Sequence, residues 1–276
     1  ARSDQSSGGS SAVFTGVRNG SSIFGDVDND GDQDLLVSGH WGGSSGNYET
    51  KLYINDEGNF SAASTAFRAL YNSRCAFADF DKDGDLDLIV SGSYSSTAYT
   101  LIYTNGTVND NYKCFATGPG VFESLGSASL SAVYGGSVNF FDANSDGWLD
   151  LFITGYSYSA RLYLNDQSQD KDPFDYSAQS ITGVQYSSSS TGDVDNDGDI
   201  DLIVTGYRSV SPAYSALLYT NNGSGTFTVK SFGFTGVYYG ASSLADFDGD
   251  GDLDLVVTGR NGTNATATVY FNQFQY

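Results

Sequence analysis

The chain of 276 residues contains no methionine, three prolines, two cysteines and one histidine. Two cysteines are too few for a disulfide-stapled scaffold. A single histidine, His40, leaves at most one imidazole for acid–base work. No glycine-rich phosphate loop, cysteine-nucleophile context or zinc spacing accompanies it, so no enzymatic activity is expected. Basic residues are scarce: 12 Lys and Arg stand against 33 Asp and Glu, a net charge of -21. Such a chain is excluded from binding nucleic-acid phosphates. No apolar run approaches the roughly 18 residues of a membrane span, so no membrane insertion is expected. Glutamate is nearly missing too, with three residues, and leucine and lysine are few, which argues against a helical protein. The first ten residues are polar and do not read as a signal peptide. A start at Ala1 without methionine suggests a processed or excised form.

What is abundant is aspartate (30), glycine (34), tyrosine (20) and phenylalanine (18). Aromatics at 14% argue against disorder. The aspartates fall into five segments that align without gaps: 26–39 (DVDNDGDQDLLVSG), 79–92, 142–155, 193–206 and 246–259 (DFDGDGDLDLVVTG), with starts 53, 63, 51 and 53 residues apart. Downstream of each stands a second signature, at 52–55 (LYIN), 102–105, 162–165, 218–221 and 269–272 (VYFN). A third, FTGV-like, recurs at 14–17, 181–184 and 234–237, with looser copies near Phe67 and Val133. One repeat therefore reads as four short strands. A Ser/Gly/Ala-rich strand runs into the Asp loop, an apolar strand leaves it, a third carries LYxN and a fourth passes through the TGV-like stretch. Four strands per repeat of this length signify a β-propeller.

The wrap-around spacing from the last loop to the first is 56 residues, one further repeat length. The sequence thus predicts an all-β fold. Residues 11–276 form a single five-bladed propeller of four-stranded blades, its ring closed by the N-terminal strand Ser11–Val17 beside Val269–Phe271. Residues 1–10 are expected to be a flexible tail and Gly106–Gly120 a loop insertion. Cys75 falls on a first strand and Cys114 in that insertion. An oxidising compartment favours their pairing, the width of a blade opposes it, and the sequence leaves the matter open.

The Asp loops repeat Asp-x-Asp-x-Asp-Gly-x-x-Asp and hold 23 of the 30 aspartates. Carboxylates at alternate positions converge when the chain wraps, glycine at position 6 allows the sharp turn, position 7 offers a backbone carbonyl, and Asp at position 9 closes the shell. Such flexible all-oxygen donor sets suit calcium better than magnesium. The candidate ligands are Asp26, Asp28, Asp30, Asp32 and Asp34; Asp79, Asp81, Asp83, Asp85 and Asp87; Asp142, Asn144, Asp146, Trp148 and Asp150; Asp193, Asp195, Asp197, Asp199 and Asp201; and Asp246, Asp248, Asp250, Asp252 and Asp254. About five calcium ions are expected. An EF-hand is disfavoured, because position 12 holds Val37, Val90, Ile153, Val204 or Val257 in place of the bidentate glutamate. Metal-free Asp-Gly turns are disfavoured by the self-repulsion of so many carboxylates.

These segments, with the following LYxN and the Phe24-Gly25 pair, resemble the FG-GAP/VCBS repeat. That repeat builds the calcium-binding propellers of integrin α-chains, certain fungal lectins and many bacterial surface proteins. The GAP element is replaced by Ser38-Gly39-His40 and its equivalents, which favours the VCBS-like branch. Family members more often carry seven blades, whereas the spacing here gives five. The resemblance implies that the loops opposite the Asp loops share one face. That face would hold candidate ligand-binding residues His40, Trp41, Tyr94, Tyr156, Tyr207 and Arg260, with Tyr71, Tyr134, Tyr186, Tyr238 and Tyr239 before the first strands. Aromatic rings with a polar edge suit sugars or protein partners. His40 is expected to be an exposed loop residue, and Tyr53, Tyr103, Tyr163, Tyr219 and Tyr270 to be structural. Six Asn-x-Ser/Thr sequons, at Asn19, Asn59, Asn105, Asn222, Asn261 and Asn264, are possible glycosylation points in a secreted protein.

The expectation is an extracellular or cell-surface binding module, stabilised by calcium, that recognises a glycan or glycoprotein ligand. The alternative is a structural or adhesive subunit of a surface filament or coat, whose partners are neighbouring subunits. A polysaccharide-active enzyme comes third.

Overall fold

The computed structural model describes residues 14–43, 46–106, 120–126, 129–167 and 172–273, and all regular elements there are β-strands. No helix among them is long and apolar enough to cross a membrane. The strands form five antiparallel sheets arranged as the blades of a β-propeller. Blade one comprises β1 (Val17–Gly25), β2 (Asp34–Trp41), β3 (Tyr48–Asp56) and β4 (Asn59–Ala62). Blade two comprises β5 (Tyr71–Ala78), β6 (Asp87–Tyr94), β7 (Thr97–Asn105) and β8 (Phe122–Gly126). Blade three comprises β9 (Ser137–Phe141), β10 (Asp150–Gly155), β11 (Ser159–Asn165) and β12 (Phe174–Ser177). Blade four comprises β13 (Gln185–Gly192), β14 (Asp201–Tyr207), β15 (Tyr214–Thr220) and β16 (Thr228–Lys230). Blade five shows three strands among the described residues, β17 (Tyr238–Ala245), β18 (Asp254–Asn261) and β19 (Asn264–Tyr270).

The strand chemistry follows from position in the ring. The second strands have neighbours on both faces, so Leu35–Val37, Leu88–Val90, Leu151–Ile153 and Leu202–Val204 are buried throughout. The first strands crowd towards the axis and need small side chains. Ser188 and Ser190 hydroxyls meet Ser242 of the next blade at 3.3 and 2.8 Å. A Cβ at Gly240 would overlap the Thr258 carbonyl. Apolar residues of adjacent blades then merge into inter-blade cores, the first of which joins Val27, Leu36 and Leu52 to Leu88, Val90 and Tyr103.

The two flanking signatures acquire separate jobs. The tyrosine of LYxN holds the segment that leads into its own blade: Tyr103, Tyr163, Tyr219 and Tyr270 hydroxyls accept from the Arg68, Ser131, Thr182 and Thr235 N–H groups at 3.0, 2.8, 2.9 and 2.7 Å. The asparagine reaches the preceding blade. Asn105, Asn165, Asn221 and Asn272 donate to the Val27, Phe80, Ala143 and Val194 carbonyls at 2.7 to 2.9 Å.

This corrects one sequence expectation. The TGV-like stretches are not fourth strands; they are the connectors that the tyrosines grip, and the fourth strands are β4, β8, β12 and β16. Phe14 accordingly packs on Tyr53 and Phe60 of blade one, at centroid distances of 5.0 Å each, and Val17 opens β1. The rest of the proposed closing strand, the tail and most of the insertion with Cys114 lie outside the described residues. Cys75 is buried, and burial pushes its thiol up to about 12.

The seam between blades five and one differs from the other four. Among the described residues, Asn55 donates its amide only within its own blade, to Gln33. Phe247 and Val269 are 49% and 42% exposed, whereas their counterparts in blades one to four, such as Val27, Phe80, Leu52 and Ile102, are at most 5% exposed.

Candidate metal centres and a tyrosine-lined face

Each Asp loop is folded by its own carboxylates. In the first, Asp26 accepts from the N–H groups of Asp30 and Gly31 at 3.1 and 3.0 Å, and Asp30 accepts from Asp32 N–H at 2.9 Å. The fourth and sixth positions take left-handed backbone, with φ of 60° at Asn29 and 95° at Gly31, which is why Asn and Gly recur there. Position 9 is a buried brace. Asp34 accepts from Val27 and Asn55 N–H groups at 2.9 and 2.8 Å, and Asp87, Asp150, Asp201 and Asp254 repeat the pattern.

Carboxylate oxygens come together in four of the loops, through positions 1, 3 and 9 in the first two and positions 1, 3 and 5 in the last two. Ligand-capable oxygens gather from Asp26, Asp28 and Asp34; from Asp79, Asp81 and Asp87; from Asp193, Asp195 and Asp197; and from Asp246, Asp248 and Asp250, all within 4.8 Å of one another in each group. In the third loop the Asn144 amide instead donates to Asp146 at 3.0 Å, as does Gln167 at 3.1 Å. Burial opposes ionisation of Asp146, but the Trp148 N–H, these two amides and Lys82 outweigh it and hold the carboxyl below the usual range.

The donor sets fit a hard cation. Among the described residues, buried carboxylate oxygens of Asp28, Asp79 and Asp195 have no hydrogen-bond partner. Burial, reinforced by neighbouring aspartates, raises the carboxyl pKa of Asp28 and Asp195, and that of Asp87 well above the ordinary value. Orphaned oxygens in clusters of like charge are destabilising until a cation satisfies them. Asp28, Asp81, Asp195 and Asp248 would hold it together with the position-1 carboxylates.

The side chains at position 7 do something the sequence did not disclose. Asn29 donates to Asp85 at 2.5 Å, Ser145 to Asp199 at 3.2 Å and Asn196 to Asp252 at 2.6 Å, while Lys82 lies 4.5 Å from the Trp148 ring. Position 4 of one blade thus ties to position 7 of the next. The pattern was legible only once the loops were known to be neighbours.

On the opposite face, the starts of the five first strands surround a cavity of about 560 Å³ lined by residues including Asn19, Tyr71, Arg74, Tyr134, Tyr186 and Tyr239. A register shift near the start of β1, β5, β13 and β17 creates this mouth. Tyr186 and Tyr239 stand there at φ of 52° and 49°, a conformation that bulky residues seldom adopt. Their rings lie 4.3 Å apart, and burial with the mutual tyrosine contact lifts the Tyr239 hydroxyl to about 12. Two of the lining rings continue outwards, Tyr134 stacking on Tyr156 and Tyr71 on Tyr48, each pair at 4.6 Å.

Of the sequence candidates, Trp41, Tyr94 and Tyr156 are 42–43% exposed on this face, and Arg260 is exposed as well. Tyr207 is half-buried against Tyr158, Tyr214 and Tyr238. His40 is not an exposed loop residue: it lies within β2, one residue before its end, is buried, accepts from Arg18 Nε at 3.1 Å and lies against Tyr48. Sequence reasoning missed Arg18, Asn19 and Arg74. Among the sequons, Asn105 is closed to a glycan in the folded chain, because its amide is buried and bonded to Val27 and Leu86. Asn19, Asn59, Asn222, Asn261 and Asn264 are exposed.

Comparison with known proteins accords with this architecture. No curated protein matches the chain. A solved structure, described as the basis of specific recognition of non-reducing terminal N-acetylglucosamine by an Agrocybe aegerita lectin, is similar over 95% of this chain and 68% of its own, at 17% identity and a TM-score of 0.53. That likeness concerns the fold. The FG-GAP-like repeat profile matches residues 26–90, 142–204 and 193–257, well over half of the sequence. With these matches covering most of the sequence and each running from one blade into the next, the chain belongs to the FG-GAP-like repeat family.

Proposed function

We propose that the protein is a non-catalytic, extracellular binding module that calcium stabilises and that recognises carbohydrate or glycoconjugate on the face opposite the Asp loops. The observation that carries this reading is the tyrosine-lined mouth. Four tyrosines with an arginine and asparagines beside them combine apolar ring faces with convergent donors, a composition suited to sugar rings. The similar fold of a lectin supports the same class of ligand. Calcium would hold the opposite face rigid by occupying the carboxylate clusters. A glycan array probed with the calcium-loaded protein tests the reading. Saturable binding that Tyr134→Ala and Tyr239→Ala each weaken at least tenfold is expected, whereas absence of any glycan ligand, or binding indifferent to both substitutions, refutes it.

A second reading, a structural or adhesive subunit, is favoured by the apolar surface of blade five, where Phe247, Val269 and Phe271 are exposed. Sedimentation of the protein without sugar decides it: polymerisation supports this reading, and a monomer at all concentrations removes it.

A further inference from the structure

The mouth of the tyrosine-lined cavity is not a ring of five equal parts. One left-handed residue marks the start of the first strand in every blade: Asn19, Asn72, Gly135, Tyr186 and Tyr239, at φ of 49°, 49°, 62°, 52° and 49°. All five line the cavity. Glycine and asparagine take this backbone readily, whereas two tyrosines are held there against their preference. The rim therefore has an amide side from blades one and two, a gap at blade three and an aromatic side from blades four and five, where the Tyr186 and Tyr239 rings meet.

Two residues further along, the ring breaks its own rule. Ser21, Ser137, Ser188 and Ala241 stand at matching places, opposite Ser38, Thr154, Thr205 and Thr258 of the second strands, and blade two puts Arg74 there, opposite Ser91. Small side chains suit the crowded axis, so a guanidinium at this place departs from what the fold asks, and such departures gather at functional sites. Arg74 lines the cavity and is half-buried, and burial opposes its charge. Arginine is seldom buried without an acid partner. Among the described residues Arg74 has none: Nη1 donates to the Ser73 and Gly20 carbonyls at 2.8 and 3.4 Å, and no carboxylate pairs with it. Its Nε and Nη2 make no bond to those residues, and this edge is a fork that matches two oxygens of one anion.

Little on this face would repel an anion. The Asp loops join the opposite ends of the strands, while Arg18, Arg208 and Arg260 stand at or beside the ends on this side. Glu49 is the one carboxylate at the described strand ends here, and Lys51 lies 3.6 Å from it. Burial and neighbouring tyrosines lift the Tyr134 and Tyr239 hydroxyls to about 12, so both stay neutral donors at ordinary pH.

We propose, resting on the carbohydrate reading of this mouth, that its ligand is an acidic sugar. Arg74 receives the carboxylate or sulphate, Asn19 and Asn72 stand beside it, and the apolar face of the sugar ring lies on Tyr186 and Tyr239. The cavity of about 560 Å³ has room for such a residue.

The test reads a glycan array with matched members. These are glycans ending in glucuronate, galacturonate or N-acetylneuraminate, the same glycans with that carboxyl reduced to the alcohol, and glycans ending in galactose with and without sulphate. The unaltered, calcium-loaded protein should bind an acidic member about tenfold or more tighter than its neutral copy, the effect of a charge-assisted bond. Arg74→Ser gives blade two the residue that Ser21, Ser137 and Ser188 supply elsewhere, and Arg74→Gln is closer in bulk; both should erase that preference. Arg208→Ser removes a charge from the same face outside the mouth and should keep it. Whether carboxylates or sulphate are preferred names the source of the charge. Equal binding of acidic and neutral members overturns the proposal and leaves the carbohydrate reading standing, as does a preference that survives loss of Arg74 or falls as far in Arg208→Ser. Absence of any glycan ligand removes both.

Discussion

The asparagine that ends each third strand offers a measurement in which one substitution is made at equivalent positions and should have unequal effects. Asn165 is buried. Its amide donates to the Phe80 carbonyl of blade two at 2.9 Å and to the Leu149 carbonyl at 3.3 Å, and its side-chain oxygen accepts from Gln167 N–H at 2.9 Å. Asn165→Ala removes all three bonds. Each contributes about 1 kcal/mol net, and a carbonyl left buried without a partner adds about 1 kcal/mol or more, so the loss should be about 3–5 kcal/mol. Asn55 has the same place in its blade, but among the described residues its amide reaches only Gln33 of its own loop, at 3.1 Å, and its oxygen accepts from Gly58 N–H in an exposed turn. Water replaces those partners, and Asn55→Ala should cost about 1 kcal/mol or less. Urea unfolding of both variants at one fixed calcium concentration should separate their stabilities by about 2–4 kcal/mol, with similar m-values. Asn221→Ala, whose amide reaches Ala143 and Ile200, should group with Asn165→Ala. Equal losses at Asn55 and Asn165 would show that the inter-blade bond is energetically idle and refute the reasoning.

Three further outcomes are expected. Removing calcium with a chelator should lower the melting temperature markedly, since each site adds about 2.7 kcal/mol at a hundredfold excess over Kd; an unchanged melting curve would show that the Asp clusters hold no stabilising ion. The third loop, with Asn144 in place of a carboxylate and Asp146 already satisfied by Asn144 and Gln167, should bind calcium most weakly, and Asn144→Asp should tighten it in calorimetric titration; no change on substitution contradicts this. Burial raises Asp150 and Asp201 to about 6 in the folded chain, against 3.8 as the ordinary value. Their folded form therefore holds a proton that the unfolded chain releases first, so in metal-free protein their contribution is complete below about 3.8 and is lost as pH rises towards about 6. Asp28, Asp34, Asp87 and Asp195 act in the same direction and Asp146 in the opposite one. Urea midpoints of calcium-free protein should fall between pH 4.5 and pH 7, and a rise would show that these carboxyls are not raised.

The propeller and the loop clusters were legible because both depend on local spacing repeated five times. Gly31 and its equivalents, the alternate aspartates and the apolar second strands each declare themselves within a dozen residues. What escaped depends on which residues become neighbours. The TGV-like stretch alternates like a strand, yet the hydroxyl of a tyrosine some 35 residues away makes it a connector. His40 stands at a loop in the sequence, but β2 runs long enough to draw it under Tyr48. Asn105 reads as a glycosylation sequon, and only the carbonyl of Val27, 78 residues earlier, reveals that its amide is spent inside. Asp85, Asp199 and Asp252 are read for their backbone carbonyls, and only the adjoining loop reveals what their side chains hold.

The asparagine bond runs in one direction only, from a younger stretch of chain to an older one, spanning 78 to 85 residues each time. During synthesis the acceptor carbonyl is therefore made first and waits, and each blade docks on a neighbour already complete, so folding can keep pace with translation. At every stage of such growth the newest blade displays a bare apolar side and an unclaimed carbonyl. Among the described residues, blade five, with Phe247, Val269 and Phe271 exposed, keeps such an apolar side after folding. Its surface is that of a growing tip, with the stickiness of a nascent intermediate retained in the mature fold.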